Sequence, residues 1–328
     1  LRIFYFNLGV GSGIEKTGNV IKDLLPEEDE IYEYRYQNPP CLIIHELVNF
    51  KPDVILMNEF FPRVCVASYY YKVTNPEVKI ILCNHCFDIL LGAPSRNISG
   101  ISHDVSITID RFFRDYVDYI INLNCKMNRL IPSIDRKTFY HYHPISDVYK
   151  VTKRWSDRDK NFVYFGSIVE HKIDPEFLVL LGNTKISLDI IGRESKSDLI
   201  NSIIDKYDNL RYIGFVDEED LPNTLNEYKW YVSPHNGREP FNLSLAESMR
   251  CGVIPITTAK GEWFSWAREE SVCVDSYEDM IDFMNKIDCI DDRYYSEFSK
   301  NMSESIIKKT NTRNFTDLLE ELIHDRKY

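Results

Sequence analysis

Two doubly wound, Rossmann-like α/β domains, each a parallel sheet with helices on both faces, are what this sequence predicts. Three observations carry the prediction. Short apolar runs alternate with stretches of helical periodicity, the pattern of strands buried on both faces. The alternation breaks once, over the polar and charged stretch Pro144–Asp159, and restarts at Phe162-Val163-Tyr164-Phe165-Gly166. A chain of 328 residues is also long for one domain and suits two.

In the first half, the run Ile3–Asn7 reads as a strand, followed by the glycine-rich turn Gly9-Val10-Gly11-Ser12-Gly13 and a helix over Glu15–Leu25. Glu30–Tyr36 reads as a strand, Leu42–Phe50 as a helix, Asp53–Met57 as a buried strand and Arg63–Val73 as a helix. Lys79–Cys83 and Tyr119–Asn122 read as strands, with helices over Asp104–Tyr116 and Cys125–Ile131. In the second half, the strands are Phe162–Gly166, Ser187–Ile191, Leu210–Phe215, Trp230–Ser233, Val253–Thr257 and Ser271–Val274. Tyr294–Tyr328 forms two helical stretches broken near Thr310-Asn311-Thr312. The expected domains are 1–148 and 161–308, joined by a linker over 149–160, with a helix in 309–328 packing back toward the first domain. Open parallel sheets take ligands at the carboxyl ends of their strands, so two facing sheets would enclose an interdomain cleft.

Composition narrows the function. Lys and Arg total 39 against 51 Asp and Glu, a net charge of −12, which offers no general attraction to nucleic acid or anionic lipid. A phosphate-bearing ligand would therefore need a local site. No apolar run approaches the roughly 18–20 residues that cross a bilayer, and the start reads as a strand and not a signal peptide. A cytoplasmic location follows as the expectation. Most of the eight cysteines sit in apolar surroundings and read as buried thiols. Cys83-Asn84-His85-Cys86 is formally a redox or zinc spacing, but no second ligand pair stands at similar spacing.

The most informative stretch is Arg238-Glu239-Pro240-Phe241-Asn242-Leu243-Ser244-Leu245-Ala246-Glu247-Ser248-Met249-Arg250-Cys251-Gly252. With Ser233-Pro234 before it and Val253-Ile254-Pro255-Ile256 after it, the order reads strand, loop, helix, strand. Glu239 falls in the loop and Glu247 about one turn into the helix. A helix start offers unpaired N–H groups and the positive end of a dipole, which suits a diphosphate. A carboxylate on the first turn can accept from sugar hydroxyls.

This run resembles the Glu-x7-Glu signature of retaining nucleotide-sugar glycosyltransferases of the GT-B architecture, family GT4 in particular. The resemblance extends over most of the second half. It implies that Glu239 faces the transferred sugar, that the N–H groups of Phe241 and Asn242 bind its hydroxyls, that those of Leu243 and Ser244 reach the phosphates, and that Glu247 accepts from the ribose. In the run Phe165–Lys172, Gly166-Ser167-Ile168 stands where the family has Gly-Arg-Leu, and Lys172 matches the lysine that helps the arginine neutralise the diphosphate. Position 167 departs from the family in carrying Ser for Arg; Arg193 and Arg238 are the candidate substitutes. The loop at Val216 would hold the nucleobase through backbone groups. In the first domain, the turn with Gly11, Ser12 and Gly13 would approach the donor, and His85 matches a histidine that contacts donor sugar or acceptor.

The resemblance thus implies a retaining hexosyltransferase. Its donor would be GDP-mannose first and UDP-glucose second, its acceptor a glycan or glycoconjugate, and a homodimer is among the expected assemblies. No cofactor is required beyond the nucleotide sugar as co-substrate. No metal is expected either, because Lys172 and a helix terminus would offset the diphosphate charge, and Asp157-Arg158-Asp159 lies in a charged stretch and not after a strand. The competing reading from another class is a non-catalytic nucleotide-sugar or glycan-binding module, favoured by Ser167. A nicotinamide-dependent dehydrogenase would explain the first glycine turn but not the Glu motif.

Overall fold

The computed structural model describes residues 1–7, 13–35, 38–59, 61–85, 116–123, 137–170, 172–235, 241–258, 264–289 and 291–324. Two compact units result: residues 1–145 with 310–328, and residues 146–309.

The first unit holds a six-stranded parallel sheet in the order β2-β1-β3-β4-β5-β6. Its strands are β1 (Arg2–Phe6), β2 (Glu30–Tyr34), β3 (Val54–Asn58), β4 (Lys79–Asn84), β5 (Tyr119–Asn122) and β6 (Thr138–Tyr140). Between them run α1 (Gly13–Asp23), α2 (Pro40–Phe50) and α3 (Pro62–Thr74). Pro40 and Pro62 start their helices because the missing N–H would be unpaired there anyway. Alternate residues of each strand serve opposite faces. Phe4, Phe6, Ile55, Met57, Ile80 and Leu82 pack against Ile43, Leu47 and Val64 of α2 and α3. Ile3, Tyr5, Val54, Leu56, Ile81 and Cys83 face the other way.

The second unit repeats the plan in the order β12-β11-β10-β7-β8-β9, again with every described pairing parallel. Its elements are β7 (Lys160–Phe165), α4 (Pro175–Gly182), β8 (Leu188–Ile191), α5 (Asp198–Lys206), β9 (Leu210–Gly214), α6 (Leu221–Leu225), β10 (Tyr228–Ser233), α7 (Leu243–Arg250), β11 (Ile254–Thr258), α8 (Phe264–Ala267), β12 (Val272–Val274), α9 (Tyr277–Asn285) and α10 (Asp292–Lys309). Side-chain caps start four of these helices: Asp174 accepts from the Glu176 amide, Ser197 from Ile200, Asn242 from Leu245 and Ser276 from Asp279. The final helix, α11 (Thr312–His324), belongs to the first unit, where Phe315, Leu319, Leu322 and Ile323 complete the face of Ile3 and Tyr5.

The expected fold class is what forms: two parallel, six-stranded sheets with helices. Three details differ from the sequence expectation. Residues 149–160, expected as a linker, lie inside the second unit, where Tyr149, Trp155 and Arg158 are buried. Trp155 donates from Nε1 to the Lys229 carbonyl at 2.9 Å and meets Trp230 edge-on. Strand β6 has no counterpart in the sequence reading, because three half-buried residues leave no periodic trace. The strand expected over Glu30–Tyr36 ends at Tyr34. The helices expected over Asp104–Tyr116 and Cys125–Ile131 fall largely or wholly outside the described residues. No helix among the described residues is long and apolar enough to cross a membrane.

Because Phe315 is fully buried within the first unit's core, Phe315→Ala is expected to cost about 3–5 kcal/mol, read as a lowered denaturation midpoint of that unit's transition in urea.

Candidate functional site

In the second unit the chain starts at the middle of the sheet, fills β8 and β9 on one side, then crosses to β10, β11 and β12 on the other. The carboxyl ends of β7 and β10 therefore flank a topological switch point, where the two exiting loops diverge and open a crevice. Both sequence motifs emerge there.

After β7 the backbone turns at Gly166, whose φ of +137° is the left-handed region that favours glycine. The Gly166 amide donates to the Ile191 carbonyl at 3.0 Å. A Cβ at this position would lie 2.9 Å from Ser244 Oγ, so the turn sits directly against the first turn of α7. Ser167 is exposed, and its carbonyl accepts from the Tyr164 hydroxyl at 2.7 Å. The half-buried Lys172 lies on the next turn, whose Asp174 amide donates to the Pro234 carbonyl at 3.4 Å. That contact sets the lysine's turn beside the chain leaving β10.

After β10, Ser233 and His235 are both buried, with Ser233 Oγ 2.7 Å from His235 Nδ1. The His235 carbonyl accepts from Thr258 Oγ1 of β11 at 3.1 Å. Sequence reasoning passed over His235, though a histidine just after a Ser-Pro strand end was the signal for it. Arg238 and Glu239 lie outside the described residues. Phe241 is buried and stacked on Trp266 with ring centroids 4.8 Å apart and planes 18° apart. Asn242 follows in the left-handed region (φ 63°), and its Oδ1 caps α7 by accepting from the Leu245 amide at 3.1 Å. The cap engages the third amide of the helix, so Leu243 and Ser244 present the first two N–H groups, which no helix can satisfy internally. Glu247 is buried one turn further on. A glycan on the Asn242 sequon is incompatible with this buried, capping side chain.

Arg193 and Val216 lie on the far side of the crevice. The exposed Arg193 guanidinium sits over the Phe215 ring at 5.1 Å, and Val216 is half-buried just after β9. The Gly192 amide donates to the Gly214 carbonyl at 3.0 Å, binding these two exits together. The fold thus brings Gly166, Ser167, Leu243 and Ser244 together, sets Lys172 on a neighbouring turn, and groups Arg193 with Phe215 and Val216.

The far end of α7 is held by two buried arginines. Arg250 donates to the Tyr149 carbonyl at 3.2 Å and to Asp147 at 2.7 Å. Arg158 donates to the carbonyls of Tyr228 at 2.7 Å and Cys251 at 2.6 Å. Arg158 therefore has a structural post, while its neighbour Asp159 pairs with Lys153 at 3.0 Å. Among the described residues no group of three His, Cys, Asp or Glu side chains is arranged to hold a metal.

The first unit has its own switch point between β1 and β3. Gly13 begins α1 there, while Gly11 and Ser12 lie outside the described residues. Asn7, Asn58, Asn84 and Asn122 are all buried at the carboxyl ends of β1, β3, β4 and β5. His85, next along from Asn84, is buried with Nε2 2.7 Å from Asn58 Oδ1 and its ring 4.9 Å from that of His143. His143 Nδ1 in turn lies 3.1 Å from Thr17 Oγ1. Burial pushes the His85 imidazole down to about 3, and burial, with His85 and His141 nearby, holds His143 well below its ordinary range. Both rings are neutral at pH 7. Burial likewise pushes the Cys83 thiol up, which disfavours the thiolate that redox or zinc chemistry at this Cys-x-x-Cys would need; Cys86 lies outside the described residues.

A lowered histidine pKa has a definite sign for stability. Below about 6.5 the unfolded chain takes up a proton that buried His85 refuses until about 3, so stability present above 6.5 is lost progressively as pH falls between these values. Relative to wild type, His85→Gln is expected to lose less stability between pH 6.5 and 4, measured by urea midpoints at each pH.

Residues 149–309 match the family model described as Glycosyl transferases group 1. No curated protein sequence matches the chain. Among solved structures, HepE of Anabaena in complex with UDP-glucose is similar at a TM-score of 0.73 and 12% identity, covering 99% of this chain and 99% of that one. A sucrose-phosphate synthase from Thermosynechococcus elongatus gives 0.73 and 13%, over 99% of this chain and 98% of that one. A glycosyltransferase from Rickettsia africae gives 0.69 and 14%, over 99% of each chain. At such identities the likeness is one of fold, and the fold is GT-B. The stretch 149–309, which contains the switch point between β7 and β10, is similar to the group 1 glycosyltransferase family.

Proposed function

We propose that this protein is a retaining, metal-independent hexosyltransferase of the GT4 type, moving a sugar from a nucleotide donor to a hydroxyl of a glycan or glycoconjugate. The observation that carries the reading is the Gly166 turn seated against the start of α7 at the switch point. A diphosphate there would meet the Leu243 and Ser244 amides and the positive end of the helix, with Lys172 adding a full charge. Those groups stabilise the negative charge that develops as the nucleoside diphosphate leaves. Glu247 accepts from the ribose, Val216 and the Arg193–Phe215 platform border the base, and Arg193 or Arg238 supplies the charge that Ser167 does not. Glu239 orients the sugar beside the amides of Phe241 and Asn242, and the acceptor hydroxyl attacks from the face the leaving group vacates. A donor phosphate oxygen takes the hydroxyl proton.

UDP-glucose is placed ahead of GDP-mannose as donor, because HepE is described in complexes with UDP, with UDP and glucose, and with UDP-glucose. The second reading, a non-catalytic binding module, draws its support from Ser167.

Calorimetry with UDP-glucose, GDP-mannose, UDP, GDP and NAD, each with and without EDTA, tests the donor. One nucleotide sugar is expected to bind selectively and regardless of EDTA; no binding by any of them overturns the reading. Gly166→Ala, which adds backbone strain and crowds Ser244, is expected to weaken UDP by about tenfold, or 1.4 kcal/mol. Lys172→Ala is expected to lower turnover by roughly 10²–10³-fold with a much smaller loss of affinity. Equal losses in both would instead favour the binding module.

A further inference from the structure

We infer that Asn58 is a positioning residue: an amide relay running from Glu33 through Asn7 and Asn58 locks His85 in the Nε2–H tautomer, so that Nδ1 is a hydrogen-bond acceptor. The four residues stand at β2, β1, β3 and the exit of β4, which are consecutive neighbours in the first unit's sheet. Every link has a direction that chemistry decides. A carboxylate only accepts, and Glu33 Oε1 is 3.1 Å from Asn7 Nδ2. Burial opposes its charge, yet hydrogen bonds from Lys22, Arg35 and Asn7 hold the Glu33 carboxyl below its ordinary range. Asn7 Nδ2 also donates to Asn19 Oδ1 at 3.0 Å, and that oxygen is fixed as an acceptor by Arg35. Asn7 must therefore present Oδ1 to Asn58, whose Nδ2 donates to it at 3.3 Å.

The orientation of Asn58 has a second anchor, because Nδ2 also donates to the Ile14 carbonyl at 2.9 Å. Exchanging the two amide atoms would set oxygen against oxygen at both contacts. Asn58 Oδ1 is thus committed to His85, and at 2.7 Å it can only be receiving the Nε2 proton. In a neutral imidazole the other nitrogen then carries the lone pair. Gly18 of α1 makes the geometry accessible: a Cβ there would fall 2.1 Å from Asn7 Oδ1 and 2.2 Å from Asn58 Nδ2. Among the described residues, the titratable groups placed near His85 include His143, paired with Thr17 and acted on by His141, with Cys83 two residues before His85 and Glu59 next to Asn58.

An acceptor nitrogen selects its ligand by class. It takes an O–H donor, such as a sugar hydroxyl, and turns away a phosphate oxygen. Only this last step rests on the glycosyltransferase reading; the tautomer stands without it.

Long-range ¹H–¹⁵N NMR of histidine-labelled protein reads the tautomer directly and needs no turnover. Wild-type His85 is expected as Nε2–H, without titration from pH 5 to 8. Asn58→Leu, which removes the acceptor, and Glu33→Ala, which cuts the relay at its far end, are each expected to give a detectable Nδ1–H population. Asn58→Asp keeps an acceptor but adds a charge; it is expected to bring His85 ionisation into the pH 5–8 range, and turnover then falls on the acid side where wild type is flat. An Nδ1–H signal in the wild type, or an unchanged tautomer in the folded Asn58→Leu and Glu33→Ala variants, overturns the inference. Absence of transferase activity with every donor would instead count against the proposed reaction and leave the tautomer measured by NMR unaffected.

Discussion

Helix α7 is fixed at both ends, and the second unit is organised around that fixation. At its start, Asn242 adopts a conformation few residues accept, so that its side chain can close the first turn, while Phe241 is wedged flat against Trp266. At its end, Arg250 and Arg158 give their guanidinium protons to main-chain carbonyls on three separate segments. Burying two arginines is costly unless their donors are met. Here most of the acceptors are backbone oxygens that would otherwise need partners of their own. A helix so held cannot slide along its axis, and its N–H groups stay aimed at the crevice that the strand order opens between β7 and β10.

The first unit solves a different problem. Its four central strands, β1, β3, β4 and β5, are largely apolar and end in or run into asparagine, so each of these carboxyl ends carries an amide into a dry region. Such groups are tolerated only if they satisfy one another. Asn7 and Asn58 pair directly, and Asn84 donates to Asn122 at 3.2 Å. Where the bonds run on through Asn7 and Asn58 they leave little rotational freedom, which is how a buried polar cluster acquires a sense of direction as well as a place.

Much of the architecture was legible in the sequence because buried parallel strands write themselves as unbroken apolar runs. Val54–Met57 and Ile80–Cys83 could be read as little else. Strand β6 and the Trp155 segment were not legible. The first is a short edge, and the second hides its inward-facing Tyr149, Trp155 and Arg158 among exposed charges. At the switch point, the Ser-Pro and Cys-Gly punctuation bracketed helix α7 in the sequence. The relay left a weaker trace. Phe-Asn, Met-Asn, Cys-Asn and Ile-Asn at four strand ends were visible, but which amide faces which depends on sheet order, and residues 7, 33, 58 and 85 share no spacing that would announce it.

The place of α11 bears on how the chain is made. The second unit is one continuous stretch, 146–309, whereas the first is split and takes Phe315, Leu319, Leu322 and Ile323 from the far end of the chain. During synthesis, the first unit's sheet precedes these residues, so the part of its apolar face not covered by Ile21 and Leu25 stays open until they follow. The unit translated second has all its parts earlier. The first unit can therefore complete its core only after the whole of the second unit has been synthesised.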